Sequence, residues 1–400
     1  KMHPISYIVL KRFFLFVSES SLLTIELYAQ STSWTDATNT DWNISSNWSA
    51  GVPLSTTYVF ITNVTNDPVI SSAAVAQTVY INAGALLTIS ATFSLTIIGS
   101  TATQSIWNIG TLNNYGIINI NSSVSVGNYG IFNQATLNNY TGAVINIDRC
   151  LFAGLLNSGT LANDGTITIG ATTSVATYGI YNIATFNNNN GGIIKIDRSI
   201  YSGIYNTGVI TNVATITIGA VANIGNYCFI NEATVNNNTG GVINLDRASN
   251  NALFNNGIIN NIAMIHIGAT AVSGSFGINN QNNINNNSGG IINIDQLIDG
   301  GIYNNGTITN VATINIGTLS SIGYYGIYND ATFNNNANGI IKIDRSSLIG
   351  ISKLNGTFTN NASITIGAIV PIVNLIIGDV GAFINNTGGI LNGTGNLPGT

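Results

Sequence analysis

The sequence predicts an all-β protein, a right-handed parallel β-helix (β-solenoid) of about twelve three-strand coils behind an N-terminal cap. Two observations lead to this fold class: a repeat of fixed length, and short runs in which apolar and polar residues alternate. Composition adds a third, because only 6% of the residues are charged, against about 25% in an ordinary globular protein. Since 45% of the residues are hydrophobic, the chain has enough apolar surface to fold.

The repeat is 49 residues long and is visible in two sets of positions, Asp148, Asp197, Asp246, Asp295 and Asp344, and Gly170, Gly219, Gly268 and Gly317. Each of these glycines comes 22 residues after one aspartate and 27 before the next, so one repeat holds a short and a long unit. Residues 95–389 divide into twelve such units. Self-similarity at a period of this size is typical of solenoids.

Each unit contains three short runs with a period of two residues. In "IIKIDR", Ile194 and Ile196 share one face, while Lys195 and Asp197 share the other. This alternation indicates β-strands, and no stretch shows a sustained helical period. Three strands per unit, repeated along the chain, predict one coil per unit and parallel pairing between coils.

Asparagine recurs at two fixed places in the units. It tolerates a left-handed backbone, and its amide both donates and accepts, so stacked side chains can bond from coil to coil. We therefore predict two asparagine ladders, the second of them interrupted at "GISKLNG", where one residue is inserted. The two columns are Asn114, Asn139, Asn163, Asn188, Asn212, Asn237, Asn261, Asn286, Asn310, Asn335, Asn360 and Asn385, and Asn108, Asn133, Asn157, Asn182, Asn206, Asn231, Asn255, Asn280, Asn304 and Asn329.

The two ends of the chain differ from the repeats. Lys11 and Arg12 precede "FFLFVSESSLLTIELYAQ", which predicts a signal peptide over residues 1–30, with an amphipathic N-terminal helix as the alternative. No segment is long and apolar enough to predict a membrane span in the mature chain. Residues 31–94, which carry three tryptophans, predict a cap and leading strands. Residues 390–400 predict the start of a further coil or a frayed end, and such an open edge predicts end-to-end association unless a cap follows.

The segment "NWSAGVP…YVFI…PVI…INAGALLTI" and the repeats that follow resemble secreted bacterial parallel β-helix repeat proteins of the adhesin or pectin-lyase-like type. The resemblance covers the cap and the repeats, which is most of the chain. Its motifs define an architecture and no chemistry. It implies a location outside the cell or on the cell surface.

Few residues suggest chemistry. Motifs for nucleophilic catalysis, nucleotide binding and zinc binding are missing from the sequence, so we predict no catalytic residues, no metal and no cofactor. The net charge of −5 gives no basic surface for nucleic acid. Cys150 and Cys228 fall in different columns roughly 14 Å apart, which predicts two free thiols. His266, in "MIHIGA", is predicted to be a solvated surface residue.

Recurring Asp–Arg pairs leave one enzymatic alternative open. Polysaccharide lyases resemble this chain in fold and use outward carboxylates for Ca²⁺ with a basic residue as the base, a role that Asp197 and Arg198 could mimic. However, the pair recurs, Gln296 replaces the arginine in one coil, and successive carboxylates lie roughly 9.6 Å apart, too far to share one ion. We therefore predict exposed ion pairs of little energetic weight. The alternative function is a carbohydrate-active enzyme, a polysaccharide lyase or glycoside hydrolase.

Ice binding is a third possibility, because "TITIG" places Thr166 and Thr168 on one outer face. A flat and regular threonine lattice would be required. Alternate coils instead place Ile193 and Lys195 at these positions, which disfavours this function.

A column of mainly aromatic residues precedes the second asparagine column. Tyr181 has the opposite parity to Ile180 and Asn182, so it points outward if Ile180 points inward. The alternative is that these rings pack under the loop between strands. The candidate binding residues are Tyr181, Tyr205, Phe254, Tyr303 and Tyr328. The predicted function is a secreted or cell-surface structural or adhesive rod without catalysis, which binds surface glycans, another protein surface or other copies of itself.

Overall fold

The chain forms a parallel β-solenoid of about fourteen turns, in which three parallel sheets make up the sides. This computed structural model describes residues 30–98, 103–120, 127–175, 177–377 and 381–393. The one helical element in these ranges is the 3₁₀ helix Ser45–Asn47, and no helix there has the length and apolarity that crossing a membrane requires. The predicted all-β parallel β-helix is confirmed. The predicted signal peptide lies outside the described residues, apart from Gln30.

Sheet 1 contains the strands that begin each unit. Their second and fourth residues point into the core, as Ile194 and Ile196 do with no exposed surface, while Lys195 is exposed. The period-two pattern therefore sets which face is buried. The fourteen strands are Ala74–Ala76, Ser94–Ile97, Ile117–Ile120, Val144–Ile147, Thr166–Ile169, Ile193–Ile196, Thr215–Ile218, Val242–Leu245, Met264–Ile267, Ile291–Ile294, Thr313–Ile316, Ile340–Ile343, Ser363–Ile366 and Ile390–Gly393.

Sheet 2 contains the strands of the "GIYN" type. From Gln104–Asn108 to Tyr325–Asn329 each strand ends in a buried asparagine, with a buried apolar residue two positions earlier, as in Asn182 and Ile180. Its fifteen strands are Ser31–Ser33, Tyr58–Ile61, Thr78–Ile81, Gln104–Asn108, Tyr129–Asn133, Ala153–Asn157, Tyr178–Asn182, Ser202–Asn206, Tyr227–Asn231, Leu253–Asn255, Phe276–Asn280, Gly300–Asn304, Tyr325–Asn329, Ile349–Lys353 and Asn374–Ile377.

Sheet 3 places one large apolar side chain per coil in the core, and towards the C-terminus these become stacked rings, with Phe333 and Phe358 4.5 Å apart. Its fourteen strands are Val69–Ile70, Leu86–Ile89, Thr111–Asn114, Thr136–Asn139, Thr160–Asn163, Thr185–Asn188, Val209–Asn212, Thr234–Asn237, Ile258–Asn261, Asn283–Asn286, Thr307–Asn310, Thr332–Asn335, Thr357–Asn360 and Ala382–Asn385.

The short and long units differ in their connections and not in their strands. The loop from sheet 1 to sheet 2, called here the corner loop, is residues 197–201 in a short coil and residues 219–226 in the following long coil. The turn from sheet 3 back to sheet 1 is residues 213–214 in the short coil and residues 238–241 in the long one. The twelve predicted units begin at or next to the sheet 1 strands.

The predicted number of coils is too low. Tyr58–Ile61, Val69–Ile70 and Ala74–Ala76 already belong to sheets 2, 3 and 1, and they pair in parallel with the coil that follows. These first coils lack the aspartate and glycine marks of the 49-residue repeat, so the period alone did not reveal them. Trp34, Trp42 and Trp48 are buried before them, with centroids of neighbouring rings 4.7 and 5.0 Å apart, and they extend the core to the N-terminal end.

Both predicted asparagine ladders are present, and their side chains are buried except for Asn385 at the C-terminal end, which is exposed. In the ladder at the end of sheet 3, Asn188 Nδ2 donates to Asn212 Oδ1, and Asn212 Nδ2 donates to Asn237 Oδ1, each at 2.8 Å. The ladder at the end of sheet 2 repeats this geometry, and it stops at Lys353, which pairs with Asn329. There the lysine Nζ donates to the carbonyl oxygen of Gly381 at 2.7 Å.

We predict that Asn212→Leu lowers the free energy of unfolding by about 1–3 kcal/mol, because buried polar groups lose their partners. The substitution removes the donor to Asn237 Oδ1 and the acceptor that the backbone N–H of Ala214 uses. Asn187→Leu makes the same change on the outer face of the neighbouring strand and should cost far less. Urea unfolding of the two variants tests this, and equal midpoints would contradict a stabilising ladder.

Candidate functional site: the outer face of sheet 2

The five predicted binding residues lie in one column on the outer face of sheet 2. Tyr181 pairs in register with Tyr205, and Tyr303 pairs with Tyr328. All five are half-buried. The column is interrupted by residues without an aromatic ring, and in coil order it reads Phe60, Tyr80, Trp107, Phe132, Leu156, Tyr181, Tyr205, Ile230, Phe254, Asn279, Tyr303, Tyr328 and Ser352.

A second aromatic column, which was not predicted from the sequence, lies beside the first. It is formed by the first residue of the sheet 2 strand in the long coils, namely Tyr129, Tyr178, Tyr227, Phe276 and Tyr325. Strict alternation would turn Tyr178 inward together with Ile180. The structure avoids this at Gly179, where an added Cβ would lie only 2.4 Å from Ile196 Cγ2 and therefore points into the core. With two successive inward positions, Tyr178 and Tyr181 both lie outside, with ring centroids 5.4 Å apart.

The rings of the two columns pack against one another. The rings of Tyr178 and Tyr205 are stacked at 5.2 Å with planes 14° apart, those of Tyr181 and Tyr205 are 5.1 Å apart, and Tyr303 stacks on Tyr328 at 5.5 Å. Neighbouring rings thus cover much of each other's faces, and they pack in the offset and edge geometries that aromatic pairs prefer. Ring edges and phenol hydroxyls remain for a partner.

Burial keeps these phenols neutral. It raises the pKa of Tyr181, and it raises the pKa of Tyr205 further above the ordinary value, with the nearby Glu232 carboxylate as an additional cause. Burial also raises the pKa of Tyr303 and Tyr328. A neutral phenol both donates and accepts a hydrogen bond. This face therefore presents neutral hydroxyl groups over the whole physiological pH range.

The prediction of exposed Asp–Arg ion pairs is wrong. The five aspartates of the repeat are at most 7% exposed. Asp197 Oδ1 accepts hydrogen bonds from the backbone N–H groups of Val221 and Ala222, each at 2.9 Å, in the corner loop of the next coil. Arg198 Nη1 donates to the carbonyl oxygens of Gly170 and Ala171, in the corner loop of the coil before. The pair thus holds together three successive coils.

Local backbone geometry explains why the pair alternates with glycine. Arg198 has φ of 57°. Gln296, which takes the arginine position two 49-residue repeats later, has φ of 53°. Gln296 Nε2 also donates to a corner-loop carbonyl, that of Ala269 at 3.4 Å, which explains why the array tolerates it. In the long coils Gly219 has φ of 76°, and an added Cβ would lie 1.8 Å from the carbonyl oxygen of Asp246. Only glycine fits against the Asp–Arg turn.

The other residues that could take part in catalysis or metal binding, one histidine and two cysteines, lie on the outer face of sheet 1 or in the buried interior. His266 is half-buried in the outer column of sheet 1, where its Nδ1 lies 3.2 Å from Asn293 Nδ2, and burial lowers its pKa. Cys150 and Cys228 are free thiols, as predicted; both are buried, and burial raises the pKa of both thiols. Among the residues that the structure describes, no three His, Cys, Asp or Glu side chains cluster as metal ligands would.

A family model matches the first part of the chain. The family model described as a domain of unknown function (DUF8693) matches residues 33–145, which contain the tryptophan segment and the first coils. No curated protein and no solved structure matches the chain. The family description names no activity for these residues.

We predict that Gly219→Ala destabilises the fold more than Gly142→Ala does. Both glycines have positive φ, 76° and 83°, so both variants carry a backbone cost of about 1–2 kcal/mol. A Cβ at Gly142 meets nothing within 4 Å, whereas one at Gly219 overlaps the main chain of Asp246. Overpacking should add about 1–3 kcal/mol for Gly219→Ala, measured by chemical unfolding. If both variants lose the same free energy of unfolding, the Asp–Arg turn accommodates the added Cβ without strain, and the prediction is wrong.

We also predict a pH-dependent effect of Asp295→Asn. Burial raises the pKa of Asp295 in the folded state, although backbone N–H groups of Ser320 and Leu319 and the charge of Arg345 oppose this. The native chain should therefore lose stability as pH rises from below about 3.9 through the raised value. Asparagine keeps the Oδ1 acceptor and does not ionise, so the stability of the variant relative to the natural chain should increase across that window. A constant difference in Tm would contradict the raised pKa.

Proposed function

We propose that the chain is a structural and adhesive rod, secreted or held at the cell surface, that binds other surfaces through the outer face of sheet 2. One observation carries this proposal: two adjacent columns rich in aromatic rings, which are half-buried apart from the buried Tyr178, run along a single face in register with the coils. The exported location is supported by the leader predicted over residues 1–30 and by the resemblance to secreted β-helix proteins of the adhesin type.

Preorganisation favours a binding role for this face. Each coil is joined to its neighbours by three sheets and by buried amides, so the backbone under the rings has little freedom. The rings themselves are restrained by mutual packing, as in the pair Tyr178 and Tyr205. Side chains that are already ordered lose little entropy when a partner binds.

The chemistry of the face suits a neutral, hydroxyl-rich partner. Phenol groups donate to and accept from sugar hydroxyls, and the ring edges offer an apolar surface with partial positive charge. Because charged residues are only 6% of the chain, long-range attraction contributes little, and binding should depend weakly on salt. We therefore propose surface glycans as the first partner class.

Binding is favoured over catalysis by what the Asp–Arg pairs do. A lyase site on this fold would depend on those carboxylates and on a free basic group. Asp197 instead accepts backbone N–H groups of the next coil, and Arg198 donates to carbonyl groups of the previous one. Both side chains are thus engaged in holding the corner loops.

The test replaces Tyr181, Tyr205, Tyr303 and Tyr328 together by serine. Folding should survive, because these side chains are half-buried on an outer face, while binding to glycan-coated surfaces should fall at least about tenfold with the loss of four rings. Circular dichroism and Tm report folding, and a glycan array with surface plasmon resonance reports binding. If the quadruple variant unfolds, the rings belong to the core and the proposed binding face is wrong.

Two further variants make this test specific. Replacing Tyr115 and Tyr140 by serine removes a stacked pair outside the two columns and should leave glycan binding unchanged. Replacing Tyr181 and Tyr205 by phenylalanine keeps the rings and removes only the hydroxyls. An intermediate loss of binding is expected, and full retention would show that sugar hydroxyls do not contact these phenols.

A further inference from the structure

One corner of the rod exposes aliphatic side chains along most of its described length. They lie in the corner loops between sheets 1 and 2, and the most exposed are Leu319 at 79%, Val221 at 72% and Ile200 at 61%. Leu151, Val272 and Ile298 in other corner loops are also more than half exposed. We call these six side chains the corner ridge. Isolated exposed aliphatic residues are ordinary, but exposed aliphatic residues in six of eight successive corner loops indicate an interaction site.

Five of the six positions within the ridge are regular, and Val272, four residues after Gly268, is the exception. Leu151, Ile200 and Ile298 each come three residues after a turn aspartate, and Val221 and Leu319 each come two residues after a turn glycine. The Asp–Arg turns fix these positions, because the backbone N–H of Val221 donates to Asp197 Oδ1 and that of Leu319 donates to Asp295 Oδ1, each at 2.9 Å. The ridge is therefore a preorganised surface on anchored loops.

We propose that the corner ridge is the surface through which two copies of this chain associate side by side. A partner that covers the whole row must repeat at the rise of the coils, about 4.8 Å per strand spacing, and a second rod has that repeat. The ridge spans corner loops from residue 148 to residue 324. It is therefore roughly 35 Å long by about 15 Å wide, and two copies would bury on the order of 1,000 Å² in total, the lower bound for a specific interface.

Charge does not oppose this self-association. The turn aspartates beside the ridge are buried under backbone N–H groups, and Arg198 and Arg345 donate to corner-loop carbonyls of their own chain. Three of the four turns along the ridge pair an aspartate with an arginine, while the turn with Gln296 and the half-buried Asp299 beside it leave a small negative charge. An apolar row with so few net charges suits a copy of itself better than a highly charged partner.

The experiment is sedimentation velocity of the full 400-residue chain, with Ile200, Val221 and Leu319 replaced together by threonine. The natural chain should form dimers at about 50 µM. The Kd of the dimer should be at least about 100-fold higher for the triple variant, while its Tm is unchanged. The matched control replaces Val209, Ile258 and Ile340, exposed aliphatic residues on sheets 3 and 1, and should dimerise like the natural chain.

A second variant, Ser249→Asp, places one charge in the middle of the ridge without removing any apolar group, and it should also abolish the dimer. A natural chain that stays monomeric, a control that dissociates as readily as the triple variant, or a ridge variant that still dimerises would overturn the proposal. Glycan binding by the tyrosine face should be the same in the ridge variants. If the natural chain does not bind glycans, that result would therefore count against the proposed function and not against this dimer.

Discussion

Exact superposition of equivalent residues in successive coils is the constraint on which the rest of the structure depends. Every column places equivalent side chains one strand spacing apart, so residues that repel their own kind are disfavoured at equivalent positions of neighbouring coils. Two like charges at about 4.8 Å repel by about 1 kcal/mol even in water, which accounts for a chain with only 6% charged residues. Lys195 and Lys342 share an outer column but stand six coils apart.

Amide chemistry replaces charge on both sides of the wall. Inside, asparagine ends the strands of sheet 2 from Gln104–Asn108 to Tyr325–Asn329 and the strands of sheet 3 from Thr111–Asn114 onward, and its amide can bond both above and below itself. Outside, the same residue forms shorter ladders, such as Asn138 to Asn113 and Asn146 to Asn119, each at 2.9 Å. The outer amides keep the surface hydrated, and the inner ones fix the register, because a shift by one residue would bury the wrong face.

Much of this architecture could be predicted from the sequence, because residues that stack on one another in successive coils recur at a fixed spacing along the chain. The asparagine columns and the register of Tyr181 with Tyr205 follow from counting. What could not be predicted involves the main chain. The carboxylate of Asp197 binds backbone N–H groups, which leave no signature in residue type, so the turn was mistaken for an ion pair. The inward step at Gly179 breaks the period of two, which hid Tyr178 on the outer face.

The Asp–Arg turn has a consequence for how such a chain can change in length. Each turn binds one long corner loop before it and one after it, so the structural unit is the pair of coils. Loss or duplication of a whole 49-residue block by unequal recombination joins matching surfaces and alters the rod in steps of about 9.6 Å. Loss of 22 or 27 residues alone would bring two turns of the same kind into contact. Either two Asp–Arg turns would then lie in neighbouring coils, or two turn glycines would lie together with no Asp–Arg turn between them. Viable variants should therefore differ by even numbers of coils.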